Sequence, residues 1–282
     1  MLAIVTDSTS DISKDLAAKH KIHVVPQHVI WGKENLLDGI EIDADTFYER
    51  LTRESIPPQT SAPAPGDFTR AYQASREAVN ADEVLCLTLS KKLSVTYTSA
   101  VQGAEHVPFK VTVLDTGTAS LGLGILVLLA AKLRDKGASS TEIVAELQRH
   151  LPNIRVYFVV ATLEYLHRGG RIGRAKHLVG SALNIKPILH LSGGEIRPKE
   201  SVRTHNKALS RLLDIAFEEC GNRKMSAIGV MHGQAPDEAR YLMERLQQHF
   251  EPENLYLSHI CAAVGVHTGP RIVGISYDLT EN

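Results

Sequence analysis

The stretch Leu2-Ala3-Ile4-Val5-Thr6-Asp7-Ser8-Thr9-Ser10 decides the fold: a short apolar run stops abruptly in a turn of hydroxyl and carboxyl side chains. An unbroken apolar run of this length, bounded by turn residues, reads as a strand buried on both faces of a parallel sheet. The same figure returns at Val84 to Leu89, followed by Ser90 to Thr96, and at Val111 to Leu114, followed by Asp115-Thr116-Gly117-Thr118. A fourth hydroxyl pair, Thr60-Ser61, stands in a proline-rich segment. Ligands of open α/β sheets bind outside the carboxyl ends of the strands. Hydroxyls and helix N-termini gathered there suit an anion. No base stands beside a nucleophile in these turns, so they suit holding a carboxylate or phosphate better than breaking a bond.

Working outward, Ser10 and Asp11 are expected to cap a helix over about 12–21, with a strand at His23 to Val25, a hairpin-like excursion over 26–43 and a helix over 44–53. Four prolines between Pro57 and Pro65 forbid a helix or central strand and hold Thr60-Ser61 in a stiff extended loop, with Asp67 capping a helix over 68–79. Strands over 84–89 and 111–114 alternate with helices over 94–104 and 120–137, the signature of a doubly wound parallel sheet. Ser139 to Glu142 opens another helix. After Pro152 the pattern changes to a strand over 156–162, a short helix over 163–167, a helix over 175–183, a hairpin over 185–198, a helix over 206–220, a strand over 225–231, a helix over 236–249 and strands near 255–261 and 272–277. The fold class is therefore α/β in two domains, 1–152 with a doubly wound parallel sheet and 153–282 with a mixed sheet, and a ligand cavity between them.

The 282 residues are 43% hydrophobic and 22% charged with a formal net charge of -1. This gives no electrostatic case for nucleic acid or a membrane surface as partner. Cys86, Cys220 and Cys261 show no CxxC spacing and read as reduced thiols of a cytoplasmic protein. The amino terminus reads as strand one rather than a signal peptide. Leu121 to Ala131 is too short to cross a bilayer and reads as a core helix, apolar on all sides. The thirteen histidines form no HExxH and no Cys/His ligand pattern, so no metal site is expected.

The turns differ in weight. Asp7 reads as ordering loops beneath a site, since a carboxylate repels anions. Thr60-Ser61 is the stronger candidate, because rigid flanks position a hydroxyl. Ser94 is placed to cap a helix while pointing at a ligand. Gly169-Gly170-Arg171-Ile172-Gly173 matches neither a P-loop nor a dinucleotide fingerprint. Arg171 reads equally as a carboxylate clamp or as a structural arginine. His267 lies in a glycine-bounded turn, His267-Thr268-Gly269-Pro270, where a lone histidine is more often structural than a donor to an anion.

Six ordered motifs make the chain resemble the DegV family, which is similar to or includes the fatty-acid-binding subunits of bacterial fatty acid kinase. They are Thr6 to Asp11, Thr60-Ser61-x-Pro63, Leu93-Ser94-x-Thr96-Tyr97, Leu163 to Gly173, Asn184-Ile185-Lys186-Pro187-Ile188-Leu189 and His267 to Pro270. The resemblance implies a non-enzymatic, cytoplasmic protein, monomeric when alone, that buries a long-chain fatty acid between two domains and needs no cofactor. It places the carboxylate at Thr60, Ser61, Ser94, Thr96, His267 and Thr268. It further implies a kinase subunit that phosphorylates that carboxylate, with Arg171 and Arg203 near the partner or the transferred phosphate. The alternatives are a phosphate-ester-processing enzyme using the Asp7 turn, and a structural or regulatory protein with a filler lipid. Four positions depart from the family pattern: Val95 stands where Gly is usual, Ala62 and Ala64 replace Gln and Ser, and Arg271 follows Pro270 where Gly is common, adding charge near the site.

Overall fold

The computed structural model describes residues 1–180, 185–221, 223 and 225–280. Four parallel strands, β1 (Leu2–Asp7), β2 (Ile22–Val25), β6 (Glu83–Thr88) and β7 (Val111–Asp115), lie in the order β2-β1-β6-β7. The order reverses beside β1, so the ends of β1 and β6 flank the position where such sheets open a crevice. A small antiparallel sheet, β4 (Glu34–Leu37), β3 (His28–Trp31) and β5 (Gln59–Ser61), stands apart. The third sheet is mixed and takes the order β10-β9-β8-β13-β11-β12, from β8 (Ile154–Val159), β9 (Lys186–Ser192), β10 (Glu195–Val202), β11 (Ile228–Gly233), β12 (Leu255–His259) and β13 (Ile272–Asp278). The helices are α1 (Lys14–Lys19), α2 (Ala44–Arg53), α3 (Pro65–Val79), α4 (Thr96–Ala104), α5 (Leu121–Asp135), α6 (Ser140–His150), α7 (Glu164–Arg168), α8 (His205–Cys220), α9 (Pro236–Phe250) and α10 (Ala262–Thr268).

Strand alternation sends the mixed sheet's side chains two ways. Val156, Phe158, Met231 and Ile272 face the first sheet, while Tyr157, Val159, Val230, Val273 and Ile275 pack with buried side chains of α8 and α9. Helix α5 lies between the parallel and mixed sheets, touching β1 and β6 on one side and β8, β11 and β13 on the other. Its residues 121–128 are all buried, which is why a helix with no polar face is tolerated there. All strands of the parallel sheet precede residue 116 and all strands of the mixed sheet follow residue 153. We propose the division near Pro152 on that ground.

Several local expectations are corrected. Helix α1 starts at Lys14 under a Ser13 cap, not at Ser10-Asp11, because Asp11 adopts a left-handed conformation and turns its carboxylate into the interior. Proline opens α3 at Pro65, where its missing N–H costs nothing, and Asp67 accepts the Ala64 N–H from inside the first turn. The stiff loop is an edge strand, β5, whose neighbour is β3. Helix α4 begins at Thr96 rather than Ser94. The helix expected over 175–183 is a 3-10 segment over Gly173–Leu178, and residues 181–183 of it lie outside the described residues. Helix α10 was not anticipated: its seven residues, with small apolar side chains, have no strong periodic signal.

Leu126 is fully buried at the centre of α5. Leu126→Ala is expected to lower the unfolding free energy by about 2–5 kcal/mol, read as a drop in the urea midpoint at unchanged slope.

Candidate functional site

A cavity opens between the parallel sheet, the mixed sheet and α10, with an empty volume of about 780 Å³ counted to its mouth. Its walls are apolar, with Leu89 and Leu93 from the end of β6, Val156 and Phe158 from β8, and Met231 and Ile272 from the neighbouring strands. The polar side chains of the lining are Thr60, Ser94, Arg171, His267 and Thr268, with Thr9, Gln27 and Ser120. Thr60 and His267 also line an adjoining polar recess with Arg168 and Arg171, so they stand where the greasy space meets the polar one.

Each donor is placed by its element. Pairing of β5 with β3 sets Thr60 opposite Val29, and the last turn of α10 carries His267 to it, with Thr60 Oγ1 and His267 Nε2 2.8 Å apart. Burial, reinforced by the Arg171 charge, lowers the His267 pKa to about 4, so the ring is neutral at pH 7. With the proton on Nε2, His267 donates to Thr60 and leaves the Thr60 hydroxyl proton for an occupant of the cavity. Ser94 is supported from behind. Gln27 Nε2 donates to Thr96 Oγ1 at 3.0 Å, and Thr96 Oγ1 lies 2.8 Å from Ser94 Oγ. The Thr96 N–H also donates to Ser94 Oγ, at 3.3 Å. With Thr96 donating along this chain, both Ser94 lone pairs are filled and its own proton is free to point into the cavity.

Arg171 is anchored by two carbonyls, Nε donating to Leu93 at 3.0 Å and Nη1 to Gly169 at 2.7 Å. It ties loops, as the structural reading expects, and it also lines the cavity. Thr268 lines the cavity while its hydroxyl donates to Val264. Thr96 stands behind Ser94 and Ser61 is exposed, its hydroxyl turned to its own chain at Ala62. Arg203 is exposed at the approach to α8, outside the cavity lining. Arg271 adds no charge to the cavity: it takes a left-handed conformation at φ 59 and pairs with Glu238 at 3.2 Å. A glycine adopts that φ without strain. Val95 is 66% exposed and so leaves the space beside Ser94 clear. Sequence reasoning missed Gln27 and Ser120, which line the cavity from the first lobe and lie in no pattern that marks a site, while Thr9, also in the lining, belongs to the hydroxyl turn after β1 without having been singled out.

Asp7 is fully buried and accepts from the Thr9 and Leu89 N–H groups, both at 3.0 Å, and from the Thr9 hydroxyl. It joins the ends of β1 and β6 beneath the cavity. The turn after β7 does the same work, Thr116 Oγ1 donating to the Thr88 carbonyl and Asp115 accepting from Gly117 and Lys91. Among the described residues no group of three His, Cys, Asp or Glu side chains is arranged to hold a metal. None of the described helices is long and apolar enough to cross a membrane.

The Gly169-Gly170 turn is a steric seat. A Cβ on Gly169 would stand 2.2 Å from His267 Nδ1, and one on Gly269 2.3 Å from the Tyr165 ring. Helices α7 and α10 therefore interlock only because these positions lack side chains.

An α/β chain with a largely apolar cavity between two sheets and a few polar side chains from separate elements in its lining has the architecture of a small-molecule binding site. The family model described as "Uncharacterised protein, DegV family" matches residues 1–279, and the chain belongs to the DegV family. It is 39% identical to a DegV domain-containing protein of Streptomyces coelicolor over 97% of each chain, and 34% identical to the DegV protein of Bacillus subtilis over 98% of each. Among solved structures it is similar to a Thermus thermophilus DegV-family protein described by its fatty acid binding, with TM-score 0.91, 37% identity and 99% of both chains covered. It is likewise similar to the structure of Bacillus subtilis DegV, described as a fatty acid binding protein, with TM-score 0.91, 32% identity and 99% of both chains covered.

Two outcomes follow from this geometry. A histidine whose folded-state pKa is depressed stabilises the fold above its unfolded value, near 6.5, and that contribution is lost as pH falls toward 4. His267→Asn is therefore expected to lose less stability than the parent between pH 7 and pH 4.5, measured by urea midpoints at each pH; His232, also held at about 4 by burial and by His259, acts equally in both. Gly169→Ala is expected to cost about 1–3 kcal/mol by overpacking and to shift the His267 ring resonances in NMR spectra.

Proposed function

We propose that this protein binds a long-chain fatty acid, burying the acyl tail in the cavity and holding the carboxylate at Thr60, Ser94 and His267. One observation carries the reading: three uncharged side chains from β5, the loop before α4 and α10, two of them paired as Thr60–His267 and the third backed by Thr96, line one largely apolar cavity. Burying some fifteen methylenes at about 0.8 kcal/mol each supplies on the order of 12 kcal/mol before ordering costs, so the tail provides affinity and the head group orientation. The fatty-acid-binding descriptions of the Thermus and Bacillus proteins support the reading.

In this proposal the protein is a non-catalytic, cytoplasmic carrier, monomeric when alone, that presents the carboxylate to a kinase subunit for acyl-phosphate formation and so feeds phospholipid synthesis. Neutral donors suit that role, because a carboxylate held by hydroxyls keeps an oxygen able to attack a phosphoryl group, whereas a tight bidentate arginine pair would oppose reaction at it. Arg171 stands beside both the cavity and the outer recess, and Arg203 on the surface is assigned to the partner.

Mass spectrometry of gently extracted protein is expected to show a long-chain fatty acid; protein that carries none and binds none when it is added refutes the reading. Ser94→Ala is expected to weaken fatty acid binding about tenfold, the worth of a hydrogen bond to a charged group, as read by isothermal titration calorimetry.

A further inference from the structure

Asp38 is 3% exposed, in the loop between β4 and α2, and among the described residues it forms no salt bridge. Its carboxylate faces two ways. Oδ1 accepts the Ala262 N–H at 3.0 Å, at the start of α10. Oδ2 accepts the Ser8 hydroxyl at 2.7 Å, and Ser8 Oγ in turn accepts the Gln27 N–H at 3.0 Å. The first arm leads through α10, whose N-cap residue Cys261 supplies no side-chain cap, to His267 and Thr60. The second leads through Gln27 to Thr96 and Ser94. Thr60, His267 and Ser94 thus all trace back to one buried carboxylate.

Asp11, 5% exposed, assists from the adjacent turn: its Oδ1 accepts the Cys261 N–H at 2.9 Å. Its other oxygen accepts the hydroxyl of Ser120, a residue of the cavity wall. Negative charge at a helix N-terminus is favourable, and orphan N–H groups there need acceptors. Burial raises the pKa of both acids, Asp11 to about 7, which is the cost of keeping two carboxylates in the interior.

We propose that Asp38 is a positioning residue for the carboxylate site, setting the His267–Thr60 pair and the Ser94–Thr96 pair in mutual register through its two oxygens. The proposal rests on the fatty-acid reading for its ligand, but its geometry belongs to the empty protein as well. Asp38 is not itself in the cavity lining, and its two direct arms run to the start of α10 and to Gln27, so its removal acts chiefly on the head-group donors those elements carry. Asp11, through Ser120, also touches the cavity wall, so the test uses Asp38.

Affinities for palmitate and for hexadecanol, which shares the tail but carries no anion, are to be measured on the full chain for the parent, Asp38→Ala and Asp38→Asn. Asp38→Ala is expected to lose about tenfold or more in palmitate affinity while hexadecanol affinity changes less than about twofold. Asp38→Asn, which keeps an acceptor for Ala262, is expected to recover most of the loss. Equal losses for both ligands, or no loss for palmitate, overturn the proposal. If Asp38→Ala fails to fold, Ser8→Ala, which cuts the arm from Asp38 Oδ2 to Gln27, decides: a palmitate loss that hexadecanol does not share supports the proposal, and equal losses or none overturn it, with the His267 ring resonances recorded on each ligand-free variant. If the parent binds neither ligand, the fatty-acid reading fails on its own, and the same ring resonances in ligand-free parent and variants still test the register set by Asp38.

Discussion

A helix that is apolar on every side can exist in water only if it is covered on every side. Helix α5 imposes that condition here. The parallel sheet covers one flank, the mixed sheet covers the other, and their separation is set by the helix between them. Beyond the start of α5, where the two sheets still face each other and no helix fills the gap, the apolar inner face of the mixed sheet is left lining a cavity with Ala119 and Ser120 in its wall. The cavity is a geometric remainder of the same packing that stabilises the core.

The chemistry of the polar lining follows from what the interior tolerates. A charged imidazole would be costly in this partly closed space beside Arg171, and burial keeps His267 neutral. The donors Thr60, Ser94 and His267 are therefore uncharged, with Arg171 anchored by backbone carbonyls nearby and Arg168 in the adjoining recess. The buried carboxylates Asp7, Asp11 and Asp38 are satisfied by N–H and hydroxyl groups.

The parallel strands and the hydroxyl turns after them were legible because burial on both faces writes an unbroken apolar run, and because a ladder's end must turn. The core helix was legible for the same reason, and the mixed character of the second sheet was inferred from the change of pattern after Pro152. Thr60, Ser94 and His267 were each visible as isolated signals; their meeting was not, since a distance across 207 positions of chain leaves no local mark. The caps misled where tertiary contacts claimed the side chain: Asp11 looked like a helix cap and is one, but for α10 rather than α1. Gln27 was invisible because a single amide after a proline has no pattern, and the glycines of the 169–173 turn looked like a loop when one of them makes room for an imidazole.

The donors drawn from positions 60, 94 and 267 come together only in the finished fold. Whatever they hold therefore has affinity for the native chain alone, and occupancy feeds directly into the folding equilibrium by mass action. For any such ligand the melting temperature becomes a function of ligand concentration rather than a constant of the sequence.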